Sequence, residues 1–305
     1  MLSQHPIECP TRLMSTAAAH GPVRTAIVNA VSPIAMESAF LAAQARLIEP
    51  ILIGNKETVR TLAAGFDWDI NHLEIHHAPD EQTAAVSAVE LARNGMVDAL
   101  MKGQIHTDVF MKAIIDRSKG LRREGRLSHA FYMSVPDSDR IVVITDAAIN
   151  IAPDLETKKS IILNAVKMLH SLGNKHPKVA VLSASEEENP RIPSSMEAAE
   201  LTRWAKASIT HADVFGPMAL DNAISPEAAR IKGIDNAVAG QADILVVPNI
   251  ETGNALFKQL VYCDSACAAG IVLGASVPIV LTSRADPPAA RLASMAIATI
   301  VAQNV

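Results

Sequence analysis

The sequence predicts an α/β protein of two domains, built on mostly parallel sheets with helices on both faces. Three observations carry that reading. Short apolar runs rich in Val, Ile and Leu recur along the chain, at 24–30, 50–54, 97–101, 178–183 and 244–248. Between them lie Ala-rich stretches with helix-start signals, and this strand-helix alternation is what a parallel sheet with crossover helices requires. At 305 residues, the chain is long enough for two such cores.

In chain order, residues 1–23 contain Pro6, Pro10 and Pro22 and support only a short helical lead-in. Residues 24–30 are the first buried strand. Ser32-Pro33 then supplies an N-cap and a first-turn proline for a helix to about Arg46. Residues 50–54 form a strand, 56–64 a short helix and 73–77 a third strand. Asp80 caps a helix over 81–94 that Gly95 closes. The strand at 97–101 runs into a polar corner, Lys102 to Asp108, before another helix.

Beyond the basic run 118–126 (SKGLRREGR), which reads either as a solvated loop or as an anion-recruiting edge, residues 140–150 hold a strand and a polar turn. Asp154 starts a helix to about Leu172, and 178–183 is a strand. Ser194-x-x-Glu197 reads as a capping box for a helix to about Lys206. A short glycine-broken segment occupies 213–219, and Ser225-Pro226 opens a further helix. The strand 244–248 exits into Asn249 to Asn254 and a helix expected to continue through Cys267. Residues 270–290 then read as strand, polar corner and helix, with Asp286 in the N-cap position and Pro287 first in the helix.

Composition narrows the function. A net charge of −5 and 3% aromatic residues argue against a nucleic-acid binder, which needs basic excess and stacking platforms. Three cysteines, Cys9, Cys263 and Cys267, make no disulfide framework and fit the cytoplasm. No second Cys or His pair accompanies them at metal-ligand spacing, so no metal site is expected. Apolar stretches are interrupted before reaching spanning length and no signal pattern opens the chain, so neither membrane insertion nor export is expected. G-x-G-x-x-G, the Walker loop, G-x-S-x-G and H-E-x-x-H are all missing.

What remains is a set of strand-end corners carrying Lys102, Asn254, Lys258, Ser283 and Arg284. All donate hydrogen bonds or positive charge, which suits an anionic substrate and a reaction that develops negative charge. The bland alternatives stay open: Arg284 as a surface ion pair, Ser283 as a turn cap, Lys258 as part of a solvated helix face, and His106 and His129 as hydrogen-bonded structural residues.

Taken together, VDALMKGQIHTDVFMKA at 97–113, ADILVVPNIETGNALFKQL at 242–260, VPIVLTSRAD at 277–286 and the Gly216-Pro217…Asp221…Ala223 segment resemble the phosphate acetyltransferase and phosphate butyryltransferase family. The resemblance runs from about Thr25 to the C-terminus. It implies reversible acyl transfer between coenzyme A and inorganic phosphate, with acyl-CoA as substrate and no tightly bound cofactor. It also implies an isocitrate and isopropylmalate dehydrogenase-like fold, an interdomain active site and a homodimer. The implied domains are 1–140 with 278–305, and 141–277. Carried onto this chain, it makes Ser283, Arg284 and Asp286 the catalytic group and Lys102, Thr107, Arg126, Asn249, Asn254 and Lys258 the substrate-binding group. Arg284 would bind phosphate as a planar donor fork and Ser283 would donate to the thioester carbonyl.

One departure stands out. The acetyltransferase branch carries an aspartate seven positions after the serine, where this chain has Ala290, and Asp286 is the nearest carboxylate. The serine-arginine-x-aspartate order resembles the butyryltransferase branch and the shorter acetyltransferase-like forms; acetyl is the leading expectation, and this pattern makes butyryl the alternative. An inactive relative that binds CoA or acyl phosphate is a further alternative, while a dehydrogenase on the same fold lacks a cofactor loop and clustered metal-binding aspartates.

Overall fold

The computed structural model of the chain describes residues 2–283 and 285–304. They form two compact units, one of 7–124 with the segment from Ala269 onward, the other of 125–268 with the segment up to Pro6.

The first unit opens with α1 (Thr11–His20), β1 (Val23–Val28), α2 (Pro33–Gln44), β2 (Ile48–Gly54), α3 (Lys56–Ala64), β3 (Ile75–His77), α4 (Glu81–Arg93), β4 (Ala99–Lys102) and α5 (Thr107–Ile114). The expected caps are in place: Ser32 Oγ accepts from Ala35 N–H at 3.3 Å and Asp80 Oδ1 from Thr83 N–H at 2.8 Å. Such a cap satisfies a helix-end donor and stabilises by about 1 kcal/mol. Gly95 has the positive φ of 67° expected of a residue just past a helix end. Strands β3, β2, β1 and β4 lie side by side and parallel. Most side chains of β1, β2 and β4 are buried, Ile27, Leu52 and Leu100 fully so.

The second unit holds β5 (Ser128–Ser134), β6 (Ile141–Thr145), α6 (Leu155–Ser171), β7 (Lys178–Leu182), α7 (Pro193–Ser208), β8 (Asp213–Met218), α8 (Leu220–Ile224), α9 (Pro226–Ile231), β9 (Ile244–Val246) and α10 (Ile250–Asp264). Its strand order is β5-β6-β9-β7-β8, parallel from β6 onward, around a core that includes Met133, Ile144, Ala180, Met218 and Leu245. β5, whose mixed SHAFYMS sequence gives no clear alternation, pairs antiparallel with β6 from Ala130–Thr145 to Ser134–Ile141. A boundary at 140/141 falls inside this hairpin, and the chain enters the second unit before β5.

Returning to the first unit, the chain forms β10 (Cys267–Leu273), β11 (Ile279–Val280) and α11 (Pro288–Ala302). The stretch expected as one strand is therefore a hairpin. Gly274, at φ 88°, turns it, β11 runs antiparallel to β10 and parallel to β4, and Pro278, which lacks an N–H, contributes its carbonyl to Leu100 N–H. The basic run is stitched to this hairpin: Leu121 is buried, its carbonyl accepts from Ser276 N–H at 2.8 Å, and Arg122 bridges Ala275.

Two further expectations are corrected. Ser194 does not cap α7; the helix already starts at Pro193, Ser194 Oγ meets Ser183 Oγ at 3.0 Å, and Glu197 pairs with the buried Lys158. A buried ammonium needs that partner more than a helix end needs a box. The helix after Asn249 stops at Asp264, where Ser265 takes a left-handed φ of 53° and Cys267 begins β10. Among the described residues no helix is long and apolar enough to cross a membrane.

Candidate active site

In the first unit two strand-end corners meet. β4 delivers Lys102 at its last position, and Gly103 follows because nothing larger fits. A Cβ there would lie 2.6 Å from the carbonyl oxygens of both Val28 and Asn29. The corner is tied down by Asn29 Nδ2 donating to the Gln104 carbonyl at 2.5 Å and by Gly103 N–H donating to the Val28 carbonyl. Beyond it, α5 is anchored by the fully buried Phe110 and Ile114, each contributing about 1.5–3 kcal/mol. Thr107, the first residue of α5, is exposed. His106 sits against the Glu81 carboxylate at 2.8 Å.

The second corner follows β11. Ser283 is exposed, and its Oγ accepts a long 3.3 Å contact from Ala285 N–H. Asp286 Oδ2 accepts from Ser283 N–H at 2.7 Å. Asp286 is therefore not the N-cap of α11. The helix begins at Pro288 with Pro287 in the cap position, and the carboxylate turns back to clamp the Ser283 backbone. Burial raises the Asp286 carboxyl above its ordinary range, opposed by the Ser283 N–H and by the Arg291 charge. Arg284 lies outside the described residues. Ala290, where the acetyltransferase branch has its aspartate, is buried on α11.

These corners share one open pocket, lined by Ser32, Ile34, Ala35 and Ser38 from the start of α2, by Met101, Lys102, Gly103 and Gln104, and by Thr282 and Ser283. The lining includes a lysine, hydroxyls and the N-terminal end of a twelve-residue helix, a setting that favours an anion. Ile34, Ala35 and Met101 add apolar atoms to the same lining. Lys102 and Ser283 are thus brought together, while Thr107 is not among the lining residues.

The other expected residues belong to the second unit. Asn249 is the N-cap of α10; its Oδ1 accepts from Thr252 N–H at 3.0 Å and Thr252 Oγ1 at 2.7 Å. Asn254 and Lys258 stand one turn apart on the same helix, half-buried and exposed respectively. Gly253, just before Asn254, lets α10 lie against the turn after β6, since a Cβ would come within 2.9 Å of the Asp146 carbonyl. Arg126 is exposed, and its carbonyl accepts from Asn164 Nδ2.

Sequence reasoning read a polar turn within 140–150 but did not single out Asp146, which organises it. The buried Asp146 carboxylate accepts from the backbone N–H groups of His129, Ala148 and Ile149 and from Asn150 Nδ2 at 2.6 Å. His129 is buried next to it, and burial pushes its imidazole down to about 4 despite the opposing Asp146 charge. Also missed were Arg291 and Glu37, whose ion pair at 2.5 Å lies directly behind the Ser283 corner. A lone arginine in the Ala- and Ile-rich sequence of α11 was the available signal, because a charge on an apolar helix face requires a partner. Among the described residues no group of three His, Cys, Asp or Glu side chains is placed to hold a metal ion.

Residues 81–299 match the family described as "Phosphate acetyl/butaryl transferase". The chain is 46% identical to a phosphate acetyltransferase of Rhizobium meliloti over 95% of its own length and 92% of the relative's. It is 40% identical to a phosphate butyryltransferase of Clostridium acetobutylicum over 85% and 86%. Among solved structures, a branched-chain phosphotransacylase from Enterococcus faecalis V583 superposes with a TM-score of 0.79 at 33% identity, covering 92% of this chain and 99% of that one. A 4-hydroxythreonine-4-phosphate dehydrogenase from Burkholderia phymatum shares the fold alone, at TM-score 0.57 and 13% identity over 92% and 98%.

Proposed function

Since the chain belongs to the phosphate acetyl/butyryl transferase family and is an acyltransferase, we propose that it is a phosphate acetyltransferase. It moves a short acyl group reversibly between acyl-CoA and inorganic phosphate. A phosphate oxygen attacks the thioester carbonyl carbon, the carbon–sulfur bond breaks, and the products are acyl phosphate and CoA. The proton carried by hydrogen phosphate ends on the CoA sulfur. An ordinary thiol has a pKa of roughly 8.5, so thiolate departs without an enzyme nucleophile, and the protein's task is to align the reactants and stabilise charge.

The observation that carries the reading is the first unit's pocket, where Lys102 and Ser283 face the same space. Lys102 supplies positive charge for phosphate, with Arg284 as the expected donor fork. The Ser283 hydroxyl donates to the carbonyl oxygen as it becomes negative. Asp286 orients Ser283 through its backbone N–H, and the half-buried carboxylate is a clamp rather than a base, since phosphate is already an anion at neutral pH. Asn254, Lys258, Arg126 and Thr107 are proposed to hold acyl-CoA; Asn249 supports that set as the cap of α10. Coenzyme A enters as a substrate, with no resident cofactor, and the working form is a cytoplasmic homodimer. Free Cys9, Cys263 and Cys267 support the reducing compartment.

Acetyl is the proposed acyl group because the relatives at 46% identity are acetyltransferases; butyryl is the alternative, supported by the relative at 40%. Catalytic efficiencies for acetyl-, propionyl- and butyryl-CoA, read as thiol release with and without phosphate, test both. Highest efficiency with acetyl-CoA supports the reading and highest with butyryl-CoA reverses it. No phosphate-dependent release from any of the three sinks the transferase assignment.

A further inference from the structure

We infer that Arg291 is a positioning residue for the transfer reaction, its buried guanidinium acting with the partly exposed Glu37 as a clamp that fixes the Ser283–Asp286 corner to α2. The inference rests on the proposed role of Ser283 and extends it to two residues outside the pocket lining. Arg291 lies on α11, is 5% exposed, and spends its guanidinium on two specific partners. One terminal nitrogen donates to the Asp286 carbonyl at 2.7 Å, and the other to the Glu37 carboxylate at 2.5 Å. Its Nε is buried without a partner, so the fork is aimed at these two groups at some cost rather than arranged to satisfy itself.

Each partner leads directly to the site. Asp286 is held at its carbonyl by Arg291 while its carboxylate holds Ser283 N–H. Glu37 is a residue of α2, whose Ile34, Ala35 and Ser38 line the pocket. The Ser283 corner and the start of α2, which both line the pocket, are thus tied through one guanidinium. A planar fork can set two directions at once, which an ammonium cannot. A buried arginine is also expensive unless fully paired, and the same helix face could have been completed with an apolar side chain had it only a packing duty.

Among the described residues, the charge acting on Asp286 is that of Arg291 from α11, itself paired with Glu37 from α2; burial and the Ser283 N–H act on the same carboxyl. Removing the Arg291 charge removes an interaction that favours the carboxylate. The Asp286 titration must then move up, along with any acid limb of the rate profile that it governs.

The test combines a titration that needs no turnover with kinetics. The Asp286 carboxyl is followed by carbon NMR, assigned with Asp286→Asn, in the wild-type protein and in Arg291→Met, Arg291→Lys and Glu37→Gln. Arg291→Met is expected to raise the carboxyl titration and to lower kcat roughly tenfold to a hundredfold with KM for acyl-CoA little changed. Arg291→Lys keeps the charge and is expected to hold the titration near wild type while recovering only part of kcat. Glu37→Gln removes the carboxylate charge that Arg291 pairs with while keeping the side chain's shape and the Arg291 charge; it lowers kcat by a smaller factor, and it carries the test if Arg291→Met does not fold. A folded Arg291→Met protein with unchanged titration and unchanged kcat overturns the clamp, as does Glu37→Gln with wild-type kcat. A titration that moves in a protein whose wild type transfers no acyl group leaves the clamp standing and removes the transferase reading instead.

Discussion

Asp286→Asn and Asp286→Ala separate a clamp from a base. The carboxylate accepts one defined bond, from Ser283 N–H at 2.7 Å, and a hydrogen bond to a charged group is worth about 1.5–3 kcal/mol. If that bond only keeps Ser283 in its reactive position, losing it costs roughly tenfold to a hundredfold in kcat, at 1.36 kcal/mol per tenfold. Alanine should show the whole of that loss. Asparagine retains an oxygen acceptor and forfeits only the charge, so its loss should be about tenfold or less. The assay is phosphate-dependent thiol release from acetyl-CoA, with thermal unfolding measured on each variant. If both variants lose about a thousandfold or more while unfolding like the wild type, the carboxylate takes part in proton transfer and the clamp reasoning is wrong.

Other predictions follow from the same residues. Arg284→Ala should lower kcat/KM by on the order of a hundredfold, as expected for a donor to developing charge; near-normal turnover removes Arg284 from the mechanism. His129 is held down to about 4 by burial, against roughly 6.5 when unfolded. As pH falls from about 6.5 towards 4 the unfolded chain therefore binds a proton the folded one refuses, and stability declines by on the order of 3 kcal/mol. Urea unfolding should show a shallower pH dependence in His129→Gln over that window, and an identical slope would contradict the assignment. Glu197→Ala strands the buried Lys158 charge and should destabilise by about 3–5 kcal/mol, whereas Glu197→Ala combined with Lys158→Met should recover most of that loss.

Much of the fold was legible because its signals are local. Ser32, Asp80, Asp154 and Ser225 each cap the helix they precede, and the Val- and Ile-rich runs became the parallel strands. What the sequence hid depends on distant partners. The hairpin of β10 and β11 looks like one apolar run until Gly274 is known to turn, and β5 lacks alternation because its stability comes from β6. Asp286 has a cap's position, yet its carboxylate is taken by Ser283, while its carbonyl is held by Arg291 of α11, which pairs in turn with Glu37 of α2. In the site, Lys102 and Ser283 were readable as strand-end donors and do share a pocket. Ser32, Ala35 and Ser38 were read only as the start of a helix, since nothing local distinguishes a pocket wall from a helix face. Asn249, read as a binding residue, spends its side chain on capping α10.

The central claim is that this chain joins phosphate to an acyl group taken from coenzyme A. Its most direct measurement is the stoichiometry of purified protein incubated with acetyl-CoA and inorganic phosphate, with free thiol and acetyl phosphate quantified together. The account predicts equal amounts of both products, appearing only when phosphate is present, and re-formation of acetyl-CoA when acetyl phosphate and CoA are supplied instead. Thiol released without phosphate, or without matching acetyl phosphate, would mean that water rather than phosphate takes the acyl group, and would contradict it.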